Sequence, residues 1–377
     1  MYVPTLSYSH VAFNGKLADL LVKSGYDVVL KLQAASEENF LSQTLWNNPG
    51  PFEDSSILNP RIIIKLLKVS SILLEYCRGS YNLLISFFYM QSAENNLIIE
   101  LKRENFELGM IEQYDACGFG IFQLIGIKNI VWLSATAIYG PQPAALGIKY
   151  PLSYLPELLS PMDDRMSFIQ RVENVLIATL SKRAQSIIAN TSPLLDFPAP
   201  MSEKILHVAG FTVMKQKYIL NKFWSQIANS SSEGFMIMSF GSIAKISQMD
   251  DRMRNIFFEI FRSFPRINFI VKYETIDEPV KKIEDNIFLA KWIPQIELMS
   301  HEKFIAIITH GGWSSVLESL IYSRPMILMP LFGDHFKNAQ VIRQKQIGVI
   351  IDKNGMDKKF SELSEKKVEI LAKFDIV

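Results

Sequence analysis

Short runs of apolar residues alternate with helical periodicity along the second half of the chain. Apolar runs at 235–238, 267–273, 286–290, 304–309, 326–330 and 349–351 predict buried strands. A helix is predicted between the first two runs by apolar residues spaced three or four apart: Met253, Ile256, Phe257, Ile260, Phe261 and Phe264. Pro265 closes that segment, and a second apolar face follows at 316–321. Strands that alternate with helices indicate a parallel, doubly wound sheet.

The first half of the chain follows the same pattern less regularly. Runs at 2–6, 27–30, 106–111 and 129–133 predict strands, and apolar positions between 11 and 21 predict a helix that ends before Gly25. The apolar run at 83–90 is far shorter than the roughly 20 residues of a membrane-spanning helix. The first residues lack the basic and apolar regions of a secretory signal. The pattern therefore predicts a second α/β domain and no membrane span.

The chain is too long for one ordinary core, since it has 377 residues. The polar segment 230–234 indicates a flexible connection. These features predict an N-terminal domain at 1–214, a linker at 215–234 and a C-terminal domain at 235–377. Ligands of such sheets bind outside the carboxyl ends of the strands, so two facing domains would form a cleft that serves as the binding site.

Composition excludes some classes of partner. Hydrophobic residues make up 49% of the chain, which supports large buried cores. Lys+Arg number 39 against 38 Asp+Glu, and this balance argues against a nucleic-acid partner. Cys77 and Cys117 have no metal-ligand spacing and fit either free thiols or one disulfide. Two glycosylation sequons, at Asn190 and Asn229, are too common by chance to fix a compartment.

The segment 309–318, THGGWSSVLE, joins a predicted strand to a predicted helix. Glycines allow the backbone to approach a ligand closely, and the unpaired N–H groups at a helix start favour an anion. His310 and Ser315 could add donors to phosphate oxygens. A tight turn at Gly311–Gly312 with Ser314 or Ser315 as the helix cap explains the local pattern equally well.

Two further strand ends carry candidate binding groups. Gly241 and Ser242 follow the strand at 235–238 and could donate to the same phosphates. Trp292 follows the strand at 286–290, with Gln295 three residues later, and an indole can stack on a planar base. For one isolated tryptophan, packing in a core is the more common role.

His10 follows the first strand and opens the first helix, where a neutral imidazole could act as a general base. Taken alone, a structural or capping histidine is the more common role at such a position. A carboxylate often orients a catalytic histidine, and Glu112 and Asp115 both sit at a strand end. Helix capping is the alternative role for these acids, above all for Asp115.

The residues at 292–295 (WIPQ), 308–312 (ITHGG) and 330–335 (PLFGDH), with Glu318, Pro325 and Asn338 at matching spacing, resemble the nucleotide-sugar signature of the UDP-glycosyltransferases. Segments 190–198, 207–210 and 239–242 resemble other parts of that family, and the resemblance extends over most of 1–355. It is similar to the animal, nematode-type enzymes of glycosyltransferase family 1, which include glucuronosyltransferases. The resemblance implies the GT-B type of fold, with two Rossmann-like domains facing a cleft.

The resemblance also implies roles for the donor site. Trp292 would stack on uracil, Gln295 would lie beside the base, and Glu318 would accept the ribose hydroxyls. The diphosphate would be held by Ser242, His310, Gly312 and Ser315. Asp334 and His335 would face the sugar hydroxyls. No metal and no cofactor is implied, because backbone donors and a helix end would neutralise the diphosphate of the UDP-sugar.

For catalysis, the resemblance implies that His10 is the base, with Glu112 preferred over Asp115 as its partner. The expected reaction is an inverting, metal-independent transfer of glucuronate or glucose to a hydroxyl of a small lipophilic acceptor. The family also implies the lumenal side of the endoplasmic reticulum membrane and association with homologous chains. His335 stands where the family usually has Gln, and Ser323 stands where Gly is common, so the sugar is left open.

Two alternatives to an active transferase remain. Relatives carry a signal peptide at the start and a membrane span with a basic tail at the end, and the residues after Gly355 are unlike theirs, so we expect a form shortened at both ends. Such a chain could bind UDP-sugar without catalysis or pair with a full-length relative. A different nucleotide enzyme, such as a dehydrogenase, is disfavoured because the first strand is not followed by G-x-G-x-x-G.

Overall fold

The computed structural model describes residues 2–4, 8–28, 31–33, 101–112, 122, 125–138, 142–143, 146–156, 162–178, 187–200, 202–210, 213 and 218–353. The described residues up to 210 belong to one compact unit, and those from 213 onward belong to a second. Asp115, both cysteines and the apolar run at 83–90 lie outside the described residues. Within the described part of the chain, no helix combines the length and apolarity needed to cross a membrane.

The first unit contains a sheet in which all paired strands are parallel. Its strands are β1 (Tyr2–Pro4), β2 (Lys31–Gln33), β3 (Gly109–Glu112), β4 (Ile130–Ser134), β5 (Ile187–Ala189) and β6 (Ile205–His207), in the order β2-β1-β3-β4-β5-β6. Its described helices include α1 (Tyr8–Lys23) and α2 (Phe168–Ala178). The chain therefore runs outward from β1 in both directions, as a doubly wound sheet does.

Helix α1 packs on the two central strands of this sheet. Phe13 on α1 belongs to one buried cluster with Met110 on β3 and Leu133 on β4. The helix ends as predicted before Gly25, which has φ +88°, a conformation that glycine adopts without strain. The strand predicted at 27–30 was placed too early, because the pairing with β1 aligns Tyr2 with Lys31 and sets β2 at 31–33.

The second unit contains a seven-stranded sheet in the order β13-β12-β11-β7-β8-β10-β9. Its strands are β7 (Gly234–Ser239), β8 (Ile267–Lys272), β9 (Val280–Glu284), β10 (Ile287–Ala290), β11 (Phe304–Thr309), β12 (Met326–Leu328) and β13 (Gly348–Ile350). Its described helices include α3 (Lys222–Asn229), α4 (Asp251–Arg262), α5 (Gln295–Met299), α6 (Trp313–Ile321) and α7 (His335–Gln344). The six strands predicted in this half from apolar runs all form.

Two elements of the second unit differ from the sequence expectation. Edge strand β9 pairs antiparallel with β10 and is mostly charged and accessible, so it has no apolar run to reveal it. Residues 222–229, within the expected linker, form α3. The Asn221 side chain caps this helix by accepting from Trp224 N at 3.0 Å, and Trp224 and Ile227 are buried. Packing of its apolar side chains and a cap order this segment, although it lies in the expected linker.

Candidate functional site

In each sheet, successive strands are added first on one side of a starting strand and then on its other side, so the strand order reverses at one pair of neighbouring strands. In the first unit this topological switch lies between β1 and β3, and in the second it lies between β7 and β11. Ligands of open α/β sheets bind at such points, outside the carboxyl ends of the strands. His10 follows β1 and Glu112 ends β3, while Gly241 follows β7 and His310 follows β11. These four predicted site residues therefore lie at the two positions that this topology makes available to ligands.

His10 and Glu112 are in direct contact in the first unit. Nδ1 of His10 lies 2.7 Å from Oε1 of Glu112, and the two side chains are 13% and 4% exposed. An ionised carboxylate can only accept, so Nδ1 carries the proton and Nε2 is the acceptor nitrogen of this ring. This is the tautomer that a general base needs.

The carboxylate of Glu112 is itself held in place from two other sides. Oε1 accepts from the backbone N of Ala135 at 3.0 Å, and Oε2 accepts from the side chain of Asn14. Asn14 is fully buried and also donates to the backbone oxygen of His10 at 2.8 Å. Sequence reasoning missed Asn14, although its position four residues after His10 places it on the same helix face. Three donors thus fix the acid that orients the histidine.

In the second unit, the ring of His310 lies in a slot between two glycines. A Cβ on Gly241 would stand 2.9 Å from Cε1 of this ring, and a Cβ on Gly312 would stand 2.7 Å from its Nε2. Both separations are too short for real side chains, so only glycine leaves room for the imidazole. Ser242 follows Gly241 directly and is half-buried. The glycines of this corner therefore have a packing function beyond the turn that they permit.

His335 packs against His310 with its ring edge-on, at a centroid distance of 4.3 Å and an angle of 90°. It also contacts Phe332 and is only 3% exposed. Burial lowers the pKa of His310 to about 3, with a smaller contribution from the charge of Lys272. Burial also lowers the pKa of His335 well below its usual range. Both rings are neutral near pH 7, and His335 is buried against His310 rather than open to solvent.

Trp292 is 58% exposed, so the structure does not place it in a core. The ammonium of Lys272, at the end of β8, lies 5.3 Å from the indole centroid and donates to Gly241 O at 2.6 Å. A cation over an aromatic face is attractive and helps to hold the ring in position. The exposed indole thus offers a flat surface for stacking beside the corner after β7.

Gln295, at the start of α5, joins two residues of α6. Its side-chain nitrogen donates to Glu318 Oε2 at 2.7 Å and to Ser315 Oγ at 3.1 Å. The amide therefore fixes the carboxylate that the sequence predicts as a ribose ligand. This arrangement could not be read from the motif spacing, because all three residues were predicted to contact the ligand rather than one another.

Asp334 directly precedes α7 and is tied to the glycine corner through Asn338. The Asn338 side chain donates to Asp334 Oδ2 at 2.7 Å and to Gly311 O at 2.9 Å, and it is fully buried. Asn338 thus fixes the side chain of Asp334 relative to the glycine turn before α6. Within the described residues, no group of three or more His, Cys, Asp or Glu side chains could hold a metal ion.

Comparison with known proteins identifies the family. A family model described as "UDP-glucoronosyl and UDP-glucosyl transferase" matches residues 76–192 and 179–364. A UDP-glucuronosyltransferase of Caenorhabditis elegans, ugt-55, is 27% identical over 94% of this chain and 76% of its own length. The human 2-hydroxyacylsphingosine 1-beta-galactosyltransferase is 26% identical over 73% of this chain, which spans about half, 54%, of that protein.

A solved structure of the spinosyn rhamnosyltransferase SpnG with spinosyn aglycone is similar in fold. It has a TM-score of 0.62 at 12% identity and covers 98% of this chain and 91% of its own. The family model alone covers more than half of the 377 residues. With its two Rossmann-like α/β units of the GT-B type, the chain belongs to the UDP-glucoronosyl and UDP-glucosyl transferase family, and thus to the UDP-glycosyltransferases.

Proposed function

We propose that this chain transfers a sugar from a UDP-sugar to a hydroxyl group of a small lipophilic acceptor, with inversion at the anomeric carbon. The observation that carries the proposal is the contact between His10 and Glu112, at 2.7 Å, beside the switch point of the first sheet. Such a pair is the arrangement by which a carboxylate orients a general base.

The reaction would proceed in one displacement. Nε2 of His10 takes the proton of the acceptor hydroxyl while the acceptor oxygen forms a bond to the anomeric carbon. The bond between that carbon and the phosphate oxygen breaks, and UDP leaves with the electron pair. Glu112 stabilises the imidazolium that forms on His10, since its charge lies against Nδ1.

The donor would bind at the carboxyl edge of the second sheet. Trp292 supplies an exposed stacking surface for uracil, with Gln295 beside the base, and Glu318 accepts from the ribose hydroxyls. The diphosphate takes donors from the start of α6 and from Ser242, His310, Gly312 and Ser315. Asp334 would lie towards the sugar hydroxyls, together with His335, whose buried ring packs against His310. These donors neutralise the diphosphate without a metal, so transfer should persist in EDTA.

The names of relatives support the substrate class. One relative is named for transfer of glucuronate and another for transfer of galactose to an acylated sphingosine, which is a lipid hydroxyl acceptor. The proposal therefore commits to a hexose-type UDP-sugar, glucuronate or glucose first, and to an apolar acceptor that carries a hydroxyl.

The test separates binding from chemistry. The melting temperature of the full chain is measured with UDP and with ADP as control, because a ligand at a hundredfold excess over its Kd stabilises by about 2.7 kcal/mol. Transfer from labelled UDP-sugars to a panel of phenols and lipid alcohols is then compared for the wild type and His10→Ala. We expect UDP to stabilise both proteins, transfer only by the wild type, and loss of UDP binding in Glu318→Ala.

The other possible results of these experiments would each lead to a different conclusion. UDP binding without transfer by the wild type would favour the non-catalytic role, in which the chain binds UDP-sugar or pairs with a longer relative. A cooperative melt that UDP does not shift would overturn the donor site. Equal transfer by His10→Ala would overturn the assigned base.

For location, we propose the lumenal side of the endoplasmic reticulum. Asn229, in one sequon, is exposed at the end of α3, whereas Asn190, in the other, is 1% exposed and donates to Ala135 O at 3.4 Å. A glycan would fit only at Asn229. In animal cells, removal of glycans should shift the mobility of the wild type and of Asn190→Gln, but not that of Asn229→Gln. An unshifted wild type would contradict the lumenal location.

A further inference from the structure

Thr309 is the last residue of β11 and lies directly before His310. It is fully buried, and its hydroxyl oxygen lies 3.2 Å from Nδ1 of His310. Its backbone is held by pairing with Ser239 and Leu328, and its oxygen accepts from Met329 N at 2.8 Å. A β-branched side chain on a central strand has little rotational freedom, so the hydroxyl is fixed beside the ring.

The hydrogen atoms of this contact can be arranged in two ways. If Nδ1 of His310 donated to Thr309, the hydroxyl proton of Thr309 would be buried without an acceptor among the described residues. If the hydroxyl donates to Nδ1, the hydroxyl proton has an acceptor, and the ring proton lies on Nε2, which is not among the described side-chain atoms that are fully buried without a partner. A ring turned over by 180° would place a carbon beside the hydroxyl and would again leave it unsatisfied. The second arrangement is therefore favoured.

The opposite edge of the ring is the one enclosed by glycine. The nearest ring atoms to a Cβ built on Gly241 or Gly312 are Cε1 and Nε2, and the ring of His335 packs perpendicular to that of His310. The pKa of His310, lowered to about 3 by burial, keeps the ring neutral near pH 7. A neutral ring that accepts at Nδ1 carries its one proton on Nε2.

We propose that Thr309 is a positioning residue, whose hydroxyl holds His310 in the neutral tautomer protonated on Nε2. This tautomer presents an N–H to an anionic phosphate oxygen of the donor at the glycine corner. The proposal deepens the proposed function and rests on it for the identity of the anion. It also gives the two histidines opposite roles, since the carboxylate of Glu112 fixes His10 with its proton on Nδ1.

The tautomer can be measured without substrate. In the ¹⁵N spectrum of histidine-labelled full chain, the protonated and bare ring nitrogens of a neutral imidazole resonate far apart, and the signals of His310 are assigned by their loss in His310→Gln. We expect a protonated Nε2 and a bare Nδ1 for His310 in the wild type and in Thr309→Ser. Thr309→Val, which keeps the shape but lacks the hydroxyl, should lose this fixed pattern.

The affinity for UDP gives the second readout. Thr309→Val should bind UDP roughly tenfold more weakly, while Thr309→Ser should bind it as the wild type does. Melting temperatures of both variants show that they fold. A wild-type His310 protonated on Nδ1, or Thr309→Val with an unchanged tautomer and affinity, would overturn the proposal. A wild type that shows the expected tautomer but binds no UDP would overturn the donor site and leave the positioning intact.

Discussion

Nδ1 of His10 and Oε1 of Glu112 lie 2.7 Å apart although 102 positions separate the two residues in the sequence. The contact forms because β1 and β3 are neighbours, so the residues that follow or end these strands meet at one edge of the sheet. Glu112 is 3% exposed and is held by Ala135 and Asn14 as well. A buried charge of this kind is stable only with such partners.

Glu112→Gln should reduce kcat/KM on the order of 10²- to 10⁴-fold, because a neutral amide cannot stabilise the imidazolium of His10. An amide can also donate to Nδ1 as well as accept from it, so the tautomer of His10 would no longer be fixed. UDP affinity should not change, because the residues of the proposed donor site belong to the other unit. Steady-state rates and UDP titration measure the two effects. Glu107→Gln, at an exposed position nearby, is the matched control. A variant with normal rates would show that Glu112 is structural only.

Gly312→Ala should weaken UDP binding and lower the unfolding free energy by about 1–3 kcal/mol, because its Cβ would overlap the ring of His310. Gly312 has φ −58°, which alanine adopts readily, so backbone strain does not contribute. In a His310→Ala background the same substitution should cost much less. Urea unfolding of the four proteins gives the coupling energy.

The control for the double-mutant cycle of Gly312→Ala and His310→Ala is Gly15→Ala in α1. A Cβ there meets no described atom within 4 Å, and alanine favours a helix over glycine, so stability should rise by roughly 1 kcal/mol. Equal costs of Gly312→Ala in both backgrounds would contradict the slot between the two glycines.

Stability should fall as the pH is lowered from 7 towards 5. In the unfolded chain histidines take up protons near pH 6.5, but the folded pKa of His310 is about 3 and that of His335 is also lowered. The unfolded state then binds more protons than the folded state, so the unfolding free energy decreases with a slope that rises to about 1.4 kcal/mol per pH unit for each such histidine once the pH is well below 6.5.

Urea unfolding at pH 7, 6 and 5 measures this slope. His310→Gln should reduce this slope by the contribution of one histidine. Because both proteins retain the same carboxylates, the difference between their unfolding free energies at each pH is free of the contribution from carboxylate titration. A wild type and variant with parallel pH curves would show that His310 titrates normally in the folded state.

Ser323→Gly should raise the unfolding free energy by about 1 kcal/mol. Ser323 follows the end of α6 with φ +55°, a left-handed conformation that costs a side chain but not glycine. The sequence shows serine where the family commonly has glycine, and the backbone gives the reason for that preference. Ser323→Ala, which keeps a Cβ, should bring no such gain. Thermal unfolding of the two variants decides between them.

The sequence by itself determined the features that are local. Apolar runs located the central strands of the second sheet, and the residues at 309–318 predicted a candidate anion-binding corner, because strand and helix periodicity and turn glycines leave a signal within a few residues. The short strands β5 and β6 and the charged edge strand β9 left no such signal. Each forms by pairing with another strand of its sheet: β5 pairs with β4, β6 with β5, and β9 with β10.

Only the tertiary structure decided how the site residues contact one another. Asn14 supports Glu112, Gln295 holds Glu318, and Thr309 faces His310, although the motif describes none of these contacts. His335, expected to face the sugar, is buried and packs against His310. Sheet order brings together residues from separate strands, and close packing then selects one arrangement of their side chains, which residue type and spacing do not encode.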